Sequence, residues 1–408
     1  MKHQIVHVVR EFPKYSEQFI RLQVNYLAKS GVNCRIVCDK YNSSLAQKID
    51  INQDIEITEC LKKRVNIFGL IVLTSLGLIR TIGFMSFIKL LWTEHRNLFG
   101  KTPWQYLYNF DFENCDLVHF QYFTHFKKYS PVISVLAMLD KKIVMSVRGA
   151  DITKRLPSVK TYFNKHQLQV GMFLPVSRNF EKRLIELGVA SARISIMRSA
   201  LDTSILSEFK SLEQSHKPSR PLKILTVGRL VEKKGYINSL KIVARLNELG
   251  CDVKYTIVGN GPLREYMERI ISTCQLNNVI MMPAIPQNEV FVKMLKSDLF
   301  LLPAMTTESG DQEGIPNVLK EAMYLGLFVV SSYHSGIPEL IEDGVHGVLC
   351  KEFDVDCFVE KIKQYSNGKL DVKGITDAAY AKVKEDYDIE HWNNKLINIY
   401  STCLKTAN

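Results

Sequence analysis

Two glutamates, Glu313 and Glu321, stand eight positions apart, with glycine, proline and asparagine between them. Proline fits the first position of a helix, where its missing N–H costs no hydrogen bond. The segment predicts a loop carboxylate, a helix that begins at Pro316 and a second carboxylate about a turn and a half into that helix. The free backbone N–H groups near Pro316 to Val318 favour a bound anion such as a phosphate. A surface helix with two solvated acids is the alternative.

Two glycine-rich loops add candidate phosphate ligands. The first follows an apolar strand pattern and contains Gly228, Arg229 and Lys234, and the second, at residues 258–262, contains Gly259. Ligands of parallel sheets bind at loops that follow the carboxyl ends of strands. Glycine lets the backbone approach a ligand, and two cations can neutralise a diphosphate. Each loop taken alone also fits an ordinary solvated turn.

The elements that must position these residues are short apolar runs alternating with helical patterns. This alternation is typical of parallel sheets that are covered by helices on both faces. The predicted strands are residues 5–9, 35–38, 117–120, 143–147 and 173–176 in the first half, and 222–227, 255–258, 279–282, 299–303 and 328–332 in the second. The sequence therefore predicts an α/β protein with two sheets.

The chain has 408 residues, which predicts two domains. We place the first domain at residues 1–206, a polar linker at 207–221 and the second domain at 222–385. Residues 386–408 have apolar residues at helical spacing and are predicted to form a helix that packs back toward the first domain. Two similar sheets joined by a linker leave a cleft, which is a common place for a ligand.

Charge is concentrated in one window, residues 61–101. Of the net charge of +11, this window carries +6, from Lys62, Lys63, Arg64, Arg80, Lys89, Arg96 and Lys101 against Glu94. Arg80 interrupts the apolar run before it reaches the length of a spanning helix. Apolar and basic residues together with Trp92 predict helices that lie in an anionic membrane surface. A buried helix pair with a basic outer face is the alternative. Nucleic acid is not expected as a partner, since no recognised binding motif accompanies the charge.

The nine cysteines show no metal-ligand spacing. Cys34 and Cys38 flank a strand-like run, which suits buried thiols better than a zinc site. This usage predicts a reducing, cytoplasmic compartment. The first residues form a short apolar strand that lacks the longer apolar region of a signal peptide. We therefore expect a cytoplasmic protein that is peripherally associated with the inner face of the cell membrane.

Four motifs, in this order and spacing, resemble the GT4-type retaining glycosyltransferases (glycosyl transferases group 1). They are Gly-Arg-Leu-Val-Glu-Lys-Lys-Gly at 228–235, Ile-Val-Gly-Asn-Gly-Pro-Leu at 257–263, Glu-Gly-Ile-Pro-Asn-Val-Leu-Lys-Glu-Ala-Met at 313–323 and Ser-Gly-Ile-Pro-Glu-Leu-Ile at 335–341. The opening residues 11–20 resemble the bacterial exopolysaccharide branch, of colanic acid and amylovoran type. The resemblance spans essentially the whole chain and is most specific at residues 222–350.

The resemblance implies a GT-B fold, with two Rossmann-like domains facing across a cleft and a nucleotide-diphosphate sugar bound mainly by the second. It implies that Glu313 lies against the donor sugar, that Glu321 holds the ribose hydroxyls, and that Arg229 and Lys234 contact the diphosphate. Glu313, Arg229 and Lys234 are the catalytic candidates. The remaining donor-side residues that it implies are Gly228, Gly259, Gly314, Ile315, Pro316, Asn317 and Val318. No metal or other cofactor is expected, because two cations and a helix terminus can take the charge of the leaving group.

The first domain is expected to bind the acceptor, and there the chain departs from the family pattern. The double glycine of many members is absent from the first loop, where Ser16 is predicted to cap the helix and Ser16 or Glu17 to face a phosphate or the acceptor. Arg148 stands where many members carry histidine, and it either pairs with an acceptor phosphate or forms a structural pair with Asp151. His119 ends a strand and is either a cleft residue or a packed one.

These observations predict a retaining, metal-independent hexosyltransferase-type enzyme. Its acceptor would be a polyprenyl-linked oligosaccharide or a polysaccharide of the cell surface. Two alternatives keep the fold and change the role: a sugar-nucleotide epimerase of GT-B architecture, and a non-catalytic membrane protein that binds sugar nucleotides.

Overall fold

The computed structural model describes residues 3–14, 17–47, 49–60, 67–210 and 218–405. The chain divides into two compact units. The first unit contains the described residues of 1–176, 180–197 and 390–408, and the second contains 177–179 and the described residues of 198–389. The first unit therefore ends nine residues before the boundary predicted at 206.

The first unit is built on a six-stranded parallel sheet in the order β3-β2-β1-β4-β5-β6. Its strands are β1 (Gln4–Phe12), β2 (Asn33–Tyr41), β3 (Glu56–Glu59), β4 (Leu117–Phe120), β5 (Lys142–Val147) and β6 (Met172–Pro175). The five predicted strands are all present. The edge strand β3 was not predicted, because Ile57 is the only apolar side chain among its four residues and so short a stretch gives no period.

Helices cover both faces of this sheet, which is why β4 and most of β5 are buried. The helices are α1 (Gln18–Lys29), α2 (Ser43–Ala46), α3 (Ile67–Ile82), α4 (Phe84–Glu94), α5 (Lys101–Asn109), α6 (His125–Lys128), α7 (Ser130–Met138), α8 (Leu156–His166) and α9 (Arg178–Glu186). The chain returns to this unit through the last helix, described below, whose Tyr400 contacts His119 of β4.

The second unit has a six-stranded parallel sheet in the order β12-β11-β10-β7-β8-β9. Its strands are β7 (Leu222–Val227), β8 (Val253–Val258), β9 (Val279–Met282), β10 (Leu299–Leu302), β11 (Phe328–Ser332) and β12 (Val348–Cys350). All five predicted strands are present, and the three-residue edge strand β12 was missed. The prediction of two α/β domains with parallel sheets is confirmed.

The helices of the second half are α10 (Thr203–Lys210), α11 (Tyr236–Glu248), α12 (Arg264–Thr273), α13 (Gln287–Leu295), α14 (Asn317–Tyr324), α15 (Ile337–Leu340), α16 (Val355–Ser366), α17 (Val372–Asp386) and α18 (Ile389–Lys405). The helix α10 packs on α13 and α14 and occupies the first four residues of the linker predicted at 207–221. Residues 211–217 of that linker lie outside the described residues.

Cysteine chemistry differs in part from the expectation. Cys34 and Cys38 are buried free thiols, and burial raises the pKa of each to about 12. Cys350 and Cys357, however, are joined by a disulfide. That pairing was not predicted, since it depends on the packing of the first turn of α16 against the end of β12.

Candidate functional site

The best candidate site lies at one edge of the second sheet. In the order of that sheet, β7 and β10 are neighbours at the centre, and the chain proceeds from them toward opposite edges. In parallel sheets of this kind, ligands bind outside the carboxyl ends of the strands at such a switch point. Since all the strands are parallel, the loops that follow β7, β8, β10 and β11 meet at this edge.

The two glycine-rich loops are joined through their backbones. Gly228 donates its N–H to the carbonyl of Val258 at 3.0 Å, and Leu230 donates to the carbonyl of Asn260 at 3.0 Å. A Cβ at Gly259 would lie 1.9 Å from the carbonyl oxygen of Gly228. Only glycine permits so close an approach, so the loops form one continuous strip of backbone at the sheet edge.

The turn after β7 presents two lysines. Residues 232–234 form a short 3-10 turn that ends at Gly235 in the left-handed conformation, with φ +73°. A Cβ at Gly235 would lie 1.8 Å from the carbonyl oxygen of Pro303, so glycine is required there. The hydroxyl of Tyr236 donates to the carbonyl of Gly228 at 2.9 Å, which ties the start of α11 to the first loop.

Glu313 lies at the centre of a cluster of charges. Its Oε1 is 3.4 Å from Nζ of Lys233, and its Oε2 is 3.2 Å from Nζ of Lys234. Its side chain is 13% exposed. Burial opposes ionisation, but the two ammonium groups outweigh it and lower the pKa of Glu313 to about 2. Glu313 is therefore a carboxylate at neutral pH, with each oxygen facing a cation.

Lys233 was not among the predicted site residues. Its Nζ also lies 3.2 Å from Oδ1 of Asp311. Burial opposes its protonation, yet the carboxylates of Glu313 and Asp311 outweigh that effect and raise the pKa of its ammonium. The basic loop signalled a cation at this edge, but the sequence did not distinguish Lys233 from Lys234. The structure places both against Glu313.

His334 is a second residue that sequence reasoning missed. Its ring is fully buried, its Nε2 lies 3.0 Å from the backbone N of Glu313, and its Nδ1 lies 2.6 Å from Oε1 of Glu352. These partners fit the neutral tautomer, in which Nδ1–H donates to Glu352 and Nε2 accepts from Glu313. His334 thus holds the backbone of Glu313 in place. A single histidine in a loop gives no pattern from which this role could be predicted.

The helix after Glu313 begins one residue later than predicted. Pro316 has extended backbone, with ψ 125°, and α14 starts at Asn317. Gly314 is buried, and a Cβ at Gly336 would lie 2.8 Å from its carbonyl oxygen. The close contact explains why the Ser-Gly-Ile-Pro segment carries glycine. Ile315 and Pro316 are also buried, whereas Asn317 and Val318 are half-buried at the helix start.

Glu321 faces a different partner. Its Oε1 accepts a hydrogen bond from Nε2 of Gln287 at 2.9 Å. Burial outweighs that bond and the nearby lysines, and it raises the pKa of Glu321 to about 7. The neighbouring Lys320 is fully buried, donates to the carbonyl of Ser199 and has a pKa lowered by burial to about 7. Glu321 is thus poised to gain hydrogen bonds from added hydroxyl donors.

Arg229 is exposed at the start of the first loop. The structure therefore brings Glu313, Lys233 and Lys234 into direct contact and places Arg229 and Glu321 in the adjoining loop and helix. The grouping can hold a polyanion through two or three cations and a hydroxyl-bearing group through two carboxylates.

The predicted acceptor residues lie in the first unit. His119 is fully buried, with Nδ1 2.6 Å from the hydroxyl of Tyr400 and Nε2 2.8 Å from Oγ of Ser146. Burial, then the charges of His7 and Arg148, lower the pKa of His119 well below its usual value. Both ring nitrogens have partners, which favours the packed alternative for His119.

Arg148 is held by Gln121. Its Nη2 donates to Oε1 of Gln121 at 2.6 Å, and its guanidinium lies 4.4 Å from the ring centroid of Phe19. The carboxylate of Asp151 accepts backbone N–H groups instead, from Gly149 at 2.7 Å and from Arg148 itself at 3.2 Å. Asp151 therefore orders the loop, and the structural pair between the two side chains is not the arrangement observed. Glu17 is paired with Lys14, and Ser16 lies outside the described residues.

The apolar window forms two helices whose outer faces are exposed. Leu70 and Leu78 of α3 and Phe87 and Leu90 of α4 are buried against the first unit. The opposite faces present large apolar side chains, which are Phe68, Leu76, Phe84, Met85 and Trp92, each more than 60% exposed. Lys62, Lys63 and Arg64 lie outside the described residues. Among the helices that the structure describes, none combines the length and the apolar character needed to cross a bilayer.

Known proteins show similarity to this chain, which also matches a family model. Residues 207–382 match the family model described as glycosyl transferases group 1. The amylovoran biosynthesis glycosyltransferase AmsK of Erwinia amylovora is 36% identical over 256 residues, covering 62% of this chain and 62% of that protein. The putative colanic acid biosynthesis glycosyltransferase WcaL of Salmonella typhimurium is 33% identical over 273 residues, covering 65% of this chain and 66% of that protein. The match thus spans about two thirds or slightly less of each relative.

Solved structures share the fold over nearly the whole chain. A glycosyltransferase from Rickettsia africae superposes with a TM-score of 0.71 at 16% identity and covers 100% of both chains. Anabaena Alr3699/HepE, in complex with UDP and glucose, superposes with a TM-score of 0.70 at 14% identity, covering 97% of this chain and 99% of that one. The expectation of two Rossmann-like domains in a GT-B fold is confirmed, as is the resemblance that suggested it.

Proposed function

Since residues 207–382 of this chain match the family model described as glycosyl transferases group 1, we propose that the protein transfers a sugar from a nucleotide-diphosphate sugar during the synthesis of a cell-surface polysaccharide. The observation that carries the proposal is the contact of Glu313 with two lysines beside the glycine-rich strip. The names of AmsK and WcaL support a role in exopolysaccharide synthesis.

The donor is held by charge on one side and by carboxylates on the other. Lys234, Arg229 and Lys233 bind the diphosphate. The N-terminus of α14, which is the positive end of the helix dipole, also attracts it. Glu313 accepts hydrogen bonds from the sugar hydroxyls. Glu321 accepts hydrogen bonds from the ribose hydroxyls, which supply the donors that its buried carboxylate needs in order to ionise. The bound UDP in the Anabaena structure supports a nucleotide as the ligand of this fold.

We infer that Glu313 positions the sugar and does not attack it. Both oxygens of Glu313 face ammonium groups at 3.4 and 3.2 Å, and the pKa of this carboxyl is lowered to about 2, which makes the carboxylate a weak nucleophile while leaving it able to accept hydrogen bonds from the sugar hydroxyls. Transfer then breaks the bond between the anomeric carbon and the diphosphate oxygen, and the acceptor hydroxyl bonds to the anomeric carbon on the same face. The departing phosphate oxygen takes the proton of that hydroxyl, and the anomeric configuration is retained. The lysines stabilise the charge that develops on the leaving diphosphate. These cations supply the role that a divalent metal plays elsewhere, so the proposed reaction is metal-independent.

The acceptor is proposed to bind to the first unit and to be carried by a lipid. Arg148, held in place by Gln121 and Phe19, is the candidate ligand for a phosphate of that acceptor. The exposed apolar faces of α3 and α4 and the basic residues beside them support association with an anionic membrane surface. A peripheral position at the cytoplasmic face would bring the enzyme to a polyprenyl-linked oligosaccharide.

The test is a panel of nucleotide-diphosphate sugars incubated with lipid extract from cell envelopes, scored by the nucleotide released. We expect one donor to be consumed in an acceptor-dependent manner, with the product anomer matching the donor by NMR. Glu313→Ala and Lys234→Ala should each reduce turnover by about 100-fold or more. Wild-type rates in both variants would contradict the site assignment.

The two alternatives have distinct outcomes in the same assay. An epimerase would convert the donor alone, without any acceptor. A sugar-nucleotide-binding protein without catalysis would bind the donor and release nothing.

A further inference from the structure

A cavity of about 450 Å³ in the first unit is lined by four charged residues, all of them basic. These are Arg96, Lys127, Lys128 and Arg155, and none of the lining residues that the structure describes is acidic. Its volume falls within the range of about 300–1,000 Å³ that is usual for small-molecule sites. Four cations around one cavity repel one another, and a bound anion relieves that repulsion.

Three of these four cations are available to a ligand. Lys128 is paired with Asp39. Arg96, Lys127 and Arg155 are exposed, and no acidic side chain in the described part of the chain lies within 4.0 Å of their charged nitrogens. The cavity is also lined by Thr124 and Tyr162, whose hydroxyls can donate hydrogen bonds, whereas Nδ2 of Asn97 donates to Glu94 and Oγ of Ser158 donates to the carbonyl of Arg155. Because α8 begins directly after Arg155, its positive end adds to the attraction.

The cavity adjoins the exposed apolar face of α4. Met85, Ile88 and Trp92 follow one another at helical spacing on α4. Arg96 of the cavity lies in the short 3-10 turn that directly follows the end of α4, so the cavity lies next to the C-terminal end of this apolar stripe. Phe99, 79% exposed, continues the apolar surface beyond it. Apolar side chains bordered by cations are the pattern that suits the boundary between acyl chains and phosphates of a bilayer.

We propose that this cavity binds the phosphate or diphosphate group of a bilayer lipid while the stripe of Met85, Ile88 and Trp92 enters the acyl-chain boundary. The inference rests on the proposed function, of which membrane association is a part, and it adds the binding site and the chemistry of the lipid headgroup. The charge of the cavity and its position beside the apolar stripe both favour a bilayer lipid as the ligand. A soluble phosphate compound would contact the cations but not the apolar stripe.

The experiment measures binding of the full chain to phosphatidylcholine vesicles with and without about 30% phosphatidylglycerol. The triple variant Arg96→Gln, Lys127→Gln, Arg155→Gln removes the available charges of the cavity. The matched control is Lys29→Gln, Lys160→Gln, Lys182→Gln, which removes three exposed charges of the same unit that do not line the cavity. Each basic residue near an anionic surface contributes about 1 kcal/mol, so we expect about a 100-fold loss in the cavity variant and less than about 3-fold in the control.

Several results would overturn the proposal. Equal losses in the cavity variant and the control would mean that diffuse charge binds the membrane. A second arm titrates inorganic pyrophosphate in solution and follows the fluorescence of Trp92, with Trp92→Phe as the blank. If the cavity variant loses the response to pyrophosphate but keeps wild-type vesicle binding, the site serves a soluble phosphate compound and the lipid assignment is wrong.

The proposal and the proposed function fail separately. Donor turnover is measured on the same variants with detergent-solubilised acceptor, and thermal unfolding checks that they are folded. Retained turnover together with lost vesicle binding in the cavity variant is the expected result. If the wild type turns over no donor, the proposed function fails while the vesicle experiment still decides the cavity.

Discussion

Replacing Glu313 by glutamine should separate two functions of the same charge cluster. The carboxylate lies 3.4 Å from Nζ of Lys233 and 3.2 Å from Nζ of Lys234. In the proposed complex, the Glu313 carboxylate binds the sugar hydroxyls and the lysines bind the diphosphate. The carboxylate and the diphosphate are both negative and therefore repel each other. We therefore expect Glu313→Gln to strengthen binding of a nucleoside diphosphate that lacks the sugar, and to weaken transfer of the sugar.

The magnitudes follow from charge separation and from the pKa of Glu313. Two like charges about 7–8 Å apart repel by about 1–2 kcal/mol at an effective dielectric constant of about 20–40, so nucleoside diphosphate should bind roughly 10-fold more tightly. Transfer should fall by about 100-fold or more, because the sugar loses its carboxylate partner. A pKa lowered from 4.5 to about 2 corresponds to about 3 kcal/mol of stability at most. This stability is fully present above pH 4.5 and is lost as the pH falls through 2. At pH 7 the variant should therefore be less stable by about 1–3 kcal/mol.

The assay is isothermal titration of UDP and GDP, together with nucleotide release from the matching donor. Asp311→Asn is the matched control, because the carboxylate of Asp311 lies 3.2 Å from Nζ of Lys233 and more than 4.0 Å from Nζ of Lys234. We expect it to change diphosphate affinity by less than about 3-fold and to retain transfer. Weaker diphosphate binding in Glu313→Gln, or full transfer activity, would refute the reasoning.

Three further changes test the scaffold around the sites. Gly259→Ala should lower the free energy of unfolding by about 3 kcal/mol or more in urea melts, because its Cβ would lie 1.9 Å from a carbonyl oxygen. Gly250→Ala is the control, since Gly250 has φ +71° but open space around it, and it should lower the free energy of unfolding by about 1 kcal/mol. Similar losses in the two variants would contradict the close-approach argument. Burial raises the pKa of Glu321 to about 7, so ionisation of this carboxyl destabilises the folded protein as the pH rises above 4.5. The variant Glu321→Gln removes that destabilisation, so it should match the wild type below pH 4.5 and be more stable by about 1–2 kcal/mol above pH 7, while nucleotide affinity falls about 10-fold. A stability difference that does not change with pH would count against this reasoning. Glu94→Gln removes the buried carboxylate that pairs with the ammonium of Lys165 and leaves that ammonium without its counter-charge. The free energy of unfolding should fall by about 3–5 kcal/mol in thermal unfolding, and an unchanged melting temperature would show that this ion pair is dispensable.

The sequence predicted those features that depend on local patterns. Ten strands were identified because each is a short apolar run, while β3 and β12 are edge strands of four and three residues, too short to show a period. The helix after Glu313 was predicted from Pro316, but it begins at Asn317 because Pro316 is extended. Glu313 and Lys234 were assigned to one site from the motif order, and the structure brings them into contact.

What the sequence did not predict depends on residues that are distant along the chain. His334 acts through a bond to the backbone of Glu313, twenty-one positions away. The basic cavity joins three segments, at Arg96, Lys127 and Arg155 and their neighbours, and each segment alone is an ordinary basic surface. His119 illustrates the reverse case, since its position at a strand end was compatible with a cleft residue or a packed one, and the hydroxyls of Tyr400 and Ser146 hydrogen-bond both of its nitrogens.

The most direct test of the account is the release of nucleoside diphosphate from a donor panel, measured with and without lipid-linked acceptor, for the wild type and Lys234→Ala. We expect one donor to be consumed only when acceptor is present, and Lys234→Ala to lower the rate by about 100-fold or more. Acceptor-independent conversion of the donor, or a wild-type rate in Lys234→Ala, would contradict it.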